Sequence, residues 1–118
     1  MSLSNDQIRS CAERLDQAEK SRKQIRQISL EHPGITIADT YAIQKAWVAI
    51  KVAQGRIVKG HKIGLTSKAM QSALNIDEPD SGILLDDMFF ADGGLKTRKG
   101  DTIQADYGPY GSVSCYFA

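Results

Sequence analysis

The sequence predicts an α+β chain: helices in the N-terminal part, strands after them, and a β-hairpin at the C-terminal end. Three observations predict it. Two segments repeat apolar residues at helical spacing, and each opens on a hydroxyl-bearing residue suited to a helix cap. After Gly55 the period shortens to that of a strand. The last residues alternate apolar and polar on either side of Gly108-Pro109-Tyr110-Gly111.

The first helix is announced by Ser4 and Gln7, which fit a capping box. Ile8, Cys11, Ala12 and Leu15 then recur at helical spacing. The basic residues Lys20, Arg22, Lys23 and Arg26 read as a solvated face, and Pro33-Gly34 ends the region. Thr36 is a good N-cap for the second helix, and Asp39 places negative charge in its first turn. Ile43, Trp47 and Ile50 form its apolar stripe, with Trp47 as a core anchor. Ala42, Ala46, Ala49 and Ala53 form a flat stripe suited to close packing, and Gly55 supplies the stop.

Residues 57–65 read as a strand containing Gly60 and Gly64. A short helix capped by Thr66 or Ser67 follows, carrying Ala69, Met70, Ala73 and Leu74. Residues 77–82 read as a polar turn, and 83–90 as a strand or irregular edge broken by Gly93-Gly94. Lys99-Gly100-Asp101 reads as a turn. In the closing hairpin Ile103, Ala105 and Tyr107 alternate with polar residues, as do Val113, Cys115 and Phe117, and one face is expected to be buried.

Composition bounds the partners. The 118 residues are one domain's worth of material, 42% hydrophobic and 25% charged, with a net charge of +1. Nothing in that balance points to nucleic acid or a membrane surface. No apolar run approaches the ~20 residues of a spanning helix, and the first ten residues lack the apolar centre of a signal peptide. Cys11 and Cys115 have no metal-ligand spacing and are expected as reduced, packed thiols. These features lead to an expectation of a soluble, cytoplasmic protein.

The richest segment for chemistry is Gly60-His61-Lys62-Ile63-Gly64-Leu65-Thr66-Ser67. Lys62 lies near the end of a strand, between two glycines that permit close approach, and a helix start follows at once. That combination suits a small anion. Read from the residues alone, Lys62 and His61 are still more simply edge-strand surface residues. Asp77, Glu78 and Asp80 could supply a base or a hard-metal ligand, but a solvated turn explains them more simply. Asp86 and Asp87 read as turn or edge charges that discourage strand pairing. Ser112 and Ser114 have no triad partner, and no nucleophile elbow, P-loop or dinucleotide fingerprint occurs.

A resemblance adds to this. Residues 14–20, the stretch Lys59-Gly60-His61-Lys62-Ile63-Gly64-Leu65-Thr66-Ser67-Lys68-Ala69-Met70-Gln71, the run Glu78-Pro79-Asp80-Ser81-Gly82 and residues 84–90 resemble the fumarylacetoacetase-like hydratases and decarboxylases of aromatic-acid breakdown. Residues 98–115 resemble the last strands of the same family. The resemblance implies strands of the fumarylacetoacetase-like β-fold, a small 2-oxo dicarboxylate substrate and, in the intact family, magnesium or manganese. It implies catalytic roles for Lys62 and Asp80, with His61, Lys62, Thr66 and Ser67 at the substrate. Self-association is left open.

The family's metal site uses two glutamates one residue apart, followed by an aspartate. This sequence has no Glu-x-Glu. The resemblance therefore implies one domain over 1–118 from which the central metal-binding segment is missing. An N-terminal family segment, 1–94, joins near 94–96 to a C-terminal one, 97–118. No metal is expected to be retained.

Overall fold

In the computed structural model the described residues are 2–89, 98–106 and 108–116. They fall in two compact units, Met1–Met88 and Phe89–Ala118, and each is treated by itself. The expected junction at 94–96 lies outside the described residues, as do Phe90, Tyr107 and Phe117.

The first unit opens with helix α1, Asn5–Ser21. Ser4 Oγ accepts from Gln7 N, and Gln7 Oε1 accepts from Ser4 N at 2.8 Å, which completes the expected capping box. Arg22 ends the helix in a left-handed conformation at φ 55°. A single turn, α2, follows at Ile28–Glu31. It was not expected, because Gln27 provides no side-chain cap and so no start signal. Helix α3, Ile37–Ala53, is capped by Thr36 and Asp39 as read from the sequence. Asp39 also reaches outside its own helix. Its carboxylate accepts from Leu3 N at 3.0 Å and from Thr36 N at 2.9 Å, which fixes the chain start against α3. These donors, Thr36 first, hold its carboxyl below the usual range.

Helices α1 and α3 pack on one another around Cys11, Ala12 and Ile43, with Leu15, Trp47 and Ile50 half-buried beside them. The alanine stripe does not pack as a whole: Ala46 meets the core, while Ala49 and Ala53 are exposed. The basic run is not simply solvated either. Lys20 lies 2.6 Å from the buried Asp16. Asp16 also meets Lys51 of α3 at 2.9 Å, and Gln54 donates to it at 3.1 Å. Lys51 in turn contacts Glu19 at 2.8 Å and sits 5.2 Å from the centre of the Trp47 ring. The side chains of Lys51 and Asp16 are only 6% and 5% exposed.

Strand β1, Val58–Gly64, pairs antiparallel with β2, Asp80–Leu85, and helix α4, Lys68–Ala73, lies between them in sequence. Ser67 is the α4 cap, accepting from Met70 N. The pairs Gly60↔Leu84, His61↔Ile83, Lys62↔Gly82, Ile63↔Ser81 and Gly64↔Asp80 set the register. The expected polar turn is thus corrected: Asp80, Ser81 and Gly82 are strand residues. Turn-favouring side chains are overridden because β1 offers their backbone groups a ladder. Asp86 and Asp87 begin a 3-10 turn, Asp86–Met88, and do not repel a neighbouring strand. Asp86 Oδ1 accepts from Ile57 N at 3.0 Å, and Asp86 N donates to Ile57 O at 2.9 Å, closing the ribbon. The Ile57 N–H is the main reason the Asp86 carboxyl titrates below its usual range.

The second unit is the expected hairpin, β3 (Thr102–Asp106) and β4 (Ser112–Tyr116), joined through a 3-10 turn at Gly108–Tyr110. Ile103↔Cys115 and Ala105↔Val113 share one face. That face is not buried, contrary to expectation: every described strand residue is exposed, Val113 by 66%. Cys11 is a packed thiol as expected, whereas Cys115 is exposed. Together the units form an α+β chain with a C-terminal hairpin. Among the described residues no helix is long and apolar enough to cross a membrane.

Candidate functional site

The β1–β2 register places Lys62 and Asp80 on one face. Lys62 faces Gly82 across the ladder, and Asp80 faces Gly64. The two charged residues are therefore diagonal neighbours, a separation that long side chains can bridge. Lys62 Nζ lies 3.8 Å from Asp80 Oδ1, with the side chains 56% and 52% exposed. Such an exposed pair adds little stability, so the acid and the ammonium remain open to a third charged group.

Two absent side chains make this arrangement possible. A Cβ on Gly64 would overlap Asp80 Oδ1, and one on Gly82 would come within 3.2 Å of Lys62 Cγ. The Asp80 carboxylate thus occupies the space over Gly64, and the Lys62 stem lies over Gly82. Glycine is needed here for close approach and not for an unusual φ.

Asp80 also lines a cleft of about 350 Å³, with Tyr41, Gln44, Leu65, Glu78 and Ser81 among its walls. Tyr41 reaches from α3 to the ribbon, its hydroxyl accepting from Ser81 N at 3.1 Å. A larger apolar cleft of about 600 Å³ lies by Leu15, Ile28 and Trp47, and shares Thr40 and Gln44 with the first.

The other expected site residues lie differently. His61 pairs with Ile83 and, by strand alternation, projects from the face opposite Lys62. Thr66 is exposed in the connection after β1. Ser67 Oγ is engaged with Met70 N at 3.2 Å. With six residues, α4 also carries only a short stack of peptide dipoles. Tyr41, Gln71 and Gly82 were not singled out from the sequence. The contacts of Tyr41 with Ser81 and of Gly82 with Lys62 depend on register between distant segments, which leaves no local signal.

Among the described residues, no group of three or more His, Cys, Asp or Glu side chains converges to hold a metal ion. Asp80 is already paired with Lys62, and Asp86 and Asp87 face Arg56. A hard divalent cation requires about six oxygen ligands. The donors among the described residues do not fit one.

No family model matches the chain. It is 68% identical over 82 residues to 2-oxo-hept-4-ene-1,7-dioate hydratase of Escherichia coli, covering 70% of this chain and 31% of that protein. It is 41% identical over 90 residues to 2-keto-4-pentenoate hydratase of Paraburkholderia xenovorans, covering 76% of this chain and 34% of the relative. Two structures of 4-oxalocrotonate decarboxylase from Pseudomonas putida G7, one with calcium and acetate and one with magnesium and adipate, match with a TM-score of 0.69 at 32% identity. They cover 72% of this chain and about a third of the neighbour. The chain spans about a third of the length of the curated relatives it matches. The matched part of the chain belongs to the fumarylacetoacetase-like family of hydratases and decarboxylases.

Proposed function

We propose that the chain carries the Lys62–Asp80 wall of a hydratase site for a small 2-oxo dicarboxylate, of the type that hydrates 2-oxo-hept-4-ene-1,7-dioate in homoprotocatechuate breakdown. The diagonal Lys62–Asp80 pair beside the Tyr41–Asp80 cleft is the observation that carries the reading. Lys62 balances one negative charge of the substrate. Asp80 moves a proton at the carbon chain. Thr66 and Ser67 follow Lys62 in the chain and meet the same anion, and His61 flanks Lys62 in the strand with its side chain on the opposite face. Residues 1–94 and 97–118 are two family segments joined near 94–96.

The chain by itself is impaired. An enolate beside a carboxylate concentrates two negative charges, and Lys62 supplies one positive charge that Asp80 already shares. Losing one preorganised stabilising group typically costs about 10²–10³ in rate. Magnesium or manganese serves the intact family, and none is retained here. The expected result is no hydration of 2-oxo-hept-4-ene-1,7-dioate above background, followed by ultraviolet absorbance with manganese added. Enzyme-like, metal-dependent turnover by the 118-residue chain would overturn the impairment. A second reading, a non-catalytic interaction module, is favoured by exposed apolar residues such as Ile63, which is 70% exposed. A particle mass in solution above 12.9 kDa would support it.

A further inference from the structure

The chain makes an unusual turn where β1 hands over to α4. Leu65 adopts φ 53°, one of three non-glycine residues with positive φ among those described. For a leucine this region is sterically unfavourable. The other two are explained by their places: Arg22 is the α1 C-cap, and Asn75 follows the C-cap of α4. Leu65 caps nothing. It follows Gly64, the residue over which the Asp80 carboxylate lies, and it lines the same cleft as Asp80.

Gln71 accounts for the persistence of this conformation. Its side chain is buried, with the residue 4% exposed. Gln71 Nε2 donates to Leu65 O at 2.6 Å, six residues back along the chain. The other end of the amide is also engaged, Lys68 Nζ donating to Gln71 Oε1 at 3.3 Å. Gln71 N and O belong to the surrounding turns, bonded to Ser67 O and Ile76 N. Gln71 is therefore fixed by its own helix, and its side chain holds a strained backbone unit belonging to the strand end.

We infer that Gln71 is a positioning residue: its buried amide clamps the left-handed Leu65 and thereby fixes the Gly64 end of β1, on which the Lys62–Asp80 pair depends. The inference rests on the reading of that pair as an anion site. The physical logic is that Gly64↔Asp80 is the last rung of the ladder. A terminal rung frays unless the chain beyond it is held. The clamp sits one residue past that rung.

The test uses the whole chain, its Gln71→Met variant and the double variant Gln71→Met with Leu65→Gly. Methionine keeps the buried volume and removes the donor, and glycine adopts positive φ without strain. Two readouts are taken: amide hydrogen exchange without ligand, and the NMR response of residues 62–67 to oxalate. Gln71→Met is expected to speed exchange at the Gly64–Asp80 end tenfold or more while leaving α1 and α3 unchanged, and to weaken the oxalate response at least tenfold. Adding Leu65→Gly is expected to restore the melting temperature without restoring the oxalate response. A purely structural role for Gln71 predicts instead that the response returns with stability, and that outcome overturns the inference. Unchanged exchange in Gln71→Met also overturns it. If the unsubstituted chain gives no oxalate response, or gives one that Lys62→Ala leaves intact, the anion-site reading fails and the positioning role fails with it.

Discussion

Replacing Lys51 with methionine should destabilise the helical unit by about 1–2 kcal/mol, and the structure shows why. Lys51 and Asp16 join α3 to α1 with side chains 6% and 5% exposed. The substitution keeps the aliphatic stem against Trp47 and removes only the ammonium. Removing one partner of a buried pair typically costs about 3–5 kcal/mol, because a charge is left without compensation. Here the loss is smaller. Lys20 remains 2.6 Å from Asp16 Oδ2, and Gln54 still donates to the same oxygen.

The titration of Asp16 sets a second limit. Lys20, Lys51 and Gln54 hold its carboxyl at about 2, against an ordinary 3.8. At about 1.36 kcal/mol for each pH unit, this difference is worth at most about 2.4 kcal/mol. For the 88-residue first unit, an unfolding entropy of about 2.1 cal/mol/K per residue converts a loss of about 1–2 kcal/mol to a fall of about 5–10 °C in melting temperature. Because the folded pKa is depressed, the contribution is fully present above pH ~4 and is lost as the pH falls toward 2. Circular dichroism melts at pH 7 and pH 2.5 measure both effects. Adding Asp16→Leu to the Lys51→Met chain should recover most of the loss at pH 7. A single-variant loss below about 0.5 kcal/mol, or a double variant no better than the single one, would refute the account of a charge stranded by its partner.

Gly64→Ala should push the Asp80 carboxylate away from Lys62, since the new Cβ would overlap Asp80 Oδ1; the oxalate response should fall at least tenfold, and an unchanged response would count against the glycine notch. Tyr41→Phe removes the acceptor for Ser81 N and should destabilise the ribbon by about 0.5–1.5 kcal/mol, read as faster exchange of the Ser81 amide with α1 unaffected. Calorimetric titration should find only weak magnesium or manganese binding, because no three acidic, His or Cys side chains converge among the described residues; tight stoichiometric binding would point to Asp77, Glu78 and Asp80 as a site.

The helices were legible because their determinants are local. Ser4 with Gln7, and Thr36 with Asp39, satisfy backbone groups within three residues of themselves, so pattern and structure agree. Lys62, with its flanking glycines, was likewise visible as an unusual strand. The errors fell where a local preference met a distant partner. Asp80-Ser81-Gly82 favours a turn in isolation, yet β1 draws it into a strand. Asp86 and Asp87 read as turn or edge charges; they lie in a turn, but Ile57 N and Arg56 within their reach give them partners that an edge charge would lack. The hairpin alternates as a half-buried ribbon should, but alternation reports only which residues share a face. It does not supply the surface that would cover that face.

By itself, then, the sequence determined the starts of α1 and α3, the glycine-flanked Lys62 strand, the closing hairpin and the family. Caps, periods and motifs are properties of neighbouring residues, so the linear order contains them. Only the tertiary structure decided that Asp80 stands diagonally from Lys62, that two glycines make room for the pair, and that Asp16 and Lys51 are buried together. Each of these depends on how segments far apart in the chain are placed together, as Lys62 is with Asp80 and Asp16 with Lys51. Register is set by ladder bonds and packing summed over whole elements, and no short stretch of sequence encodes that sum.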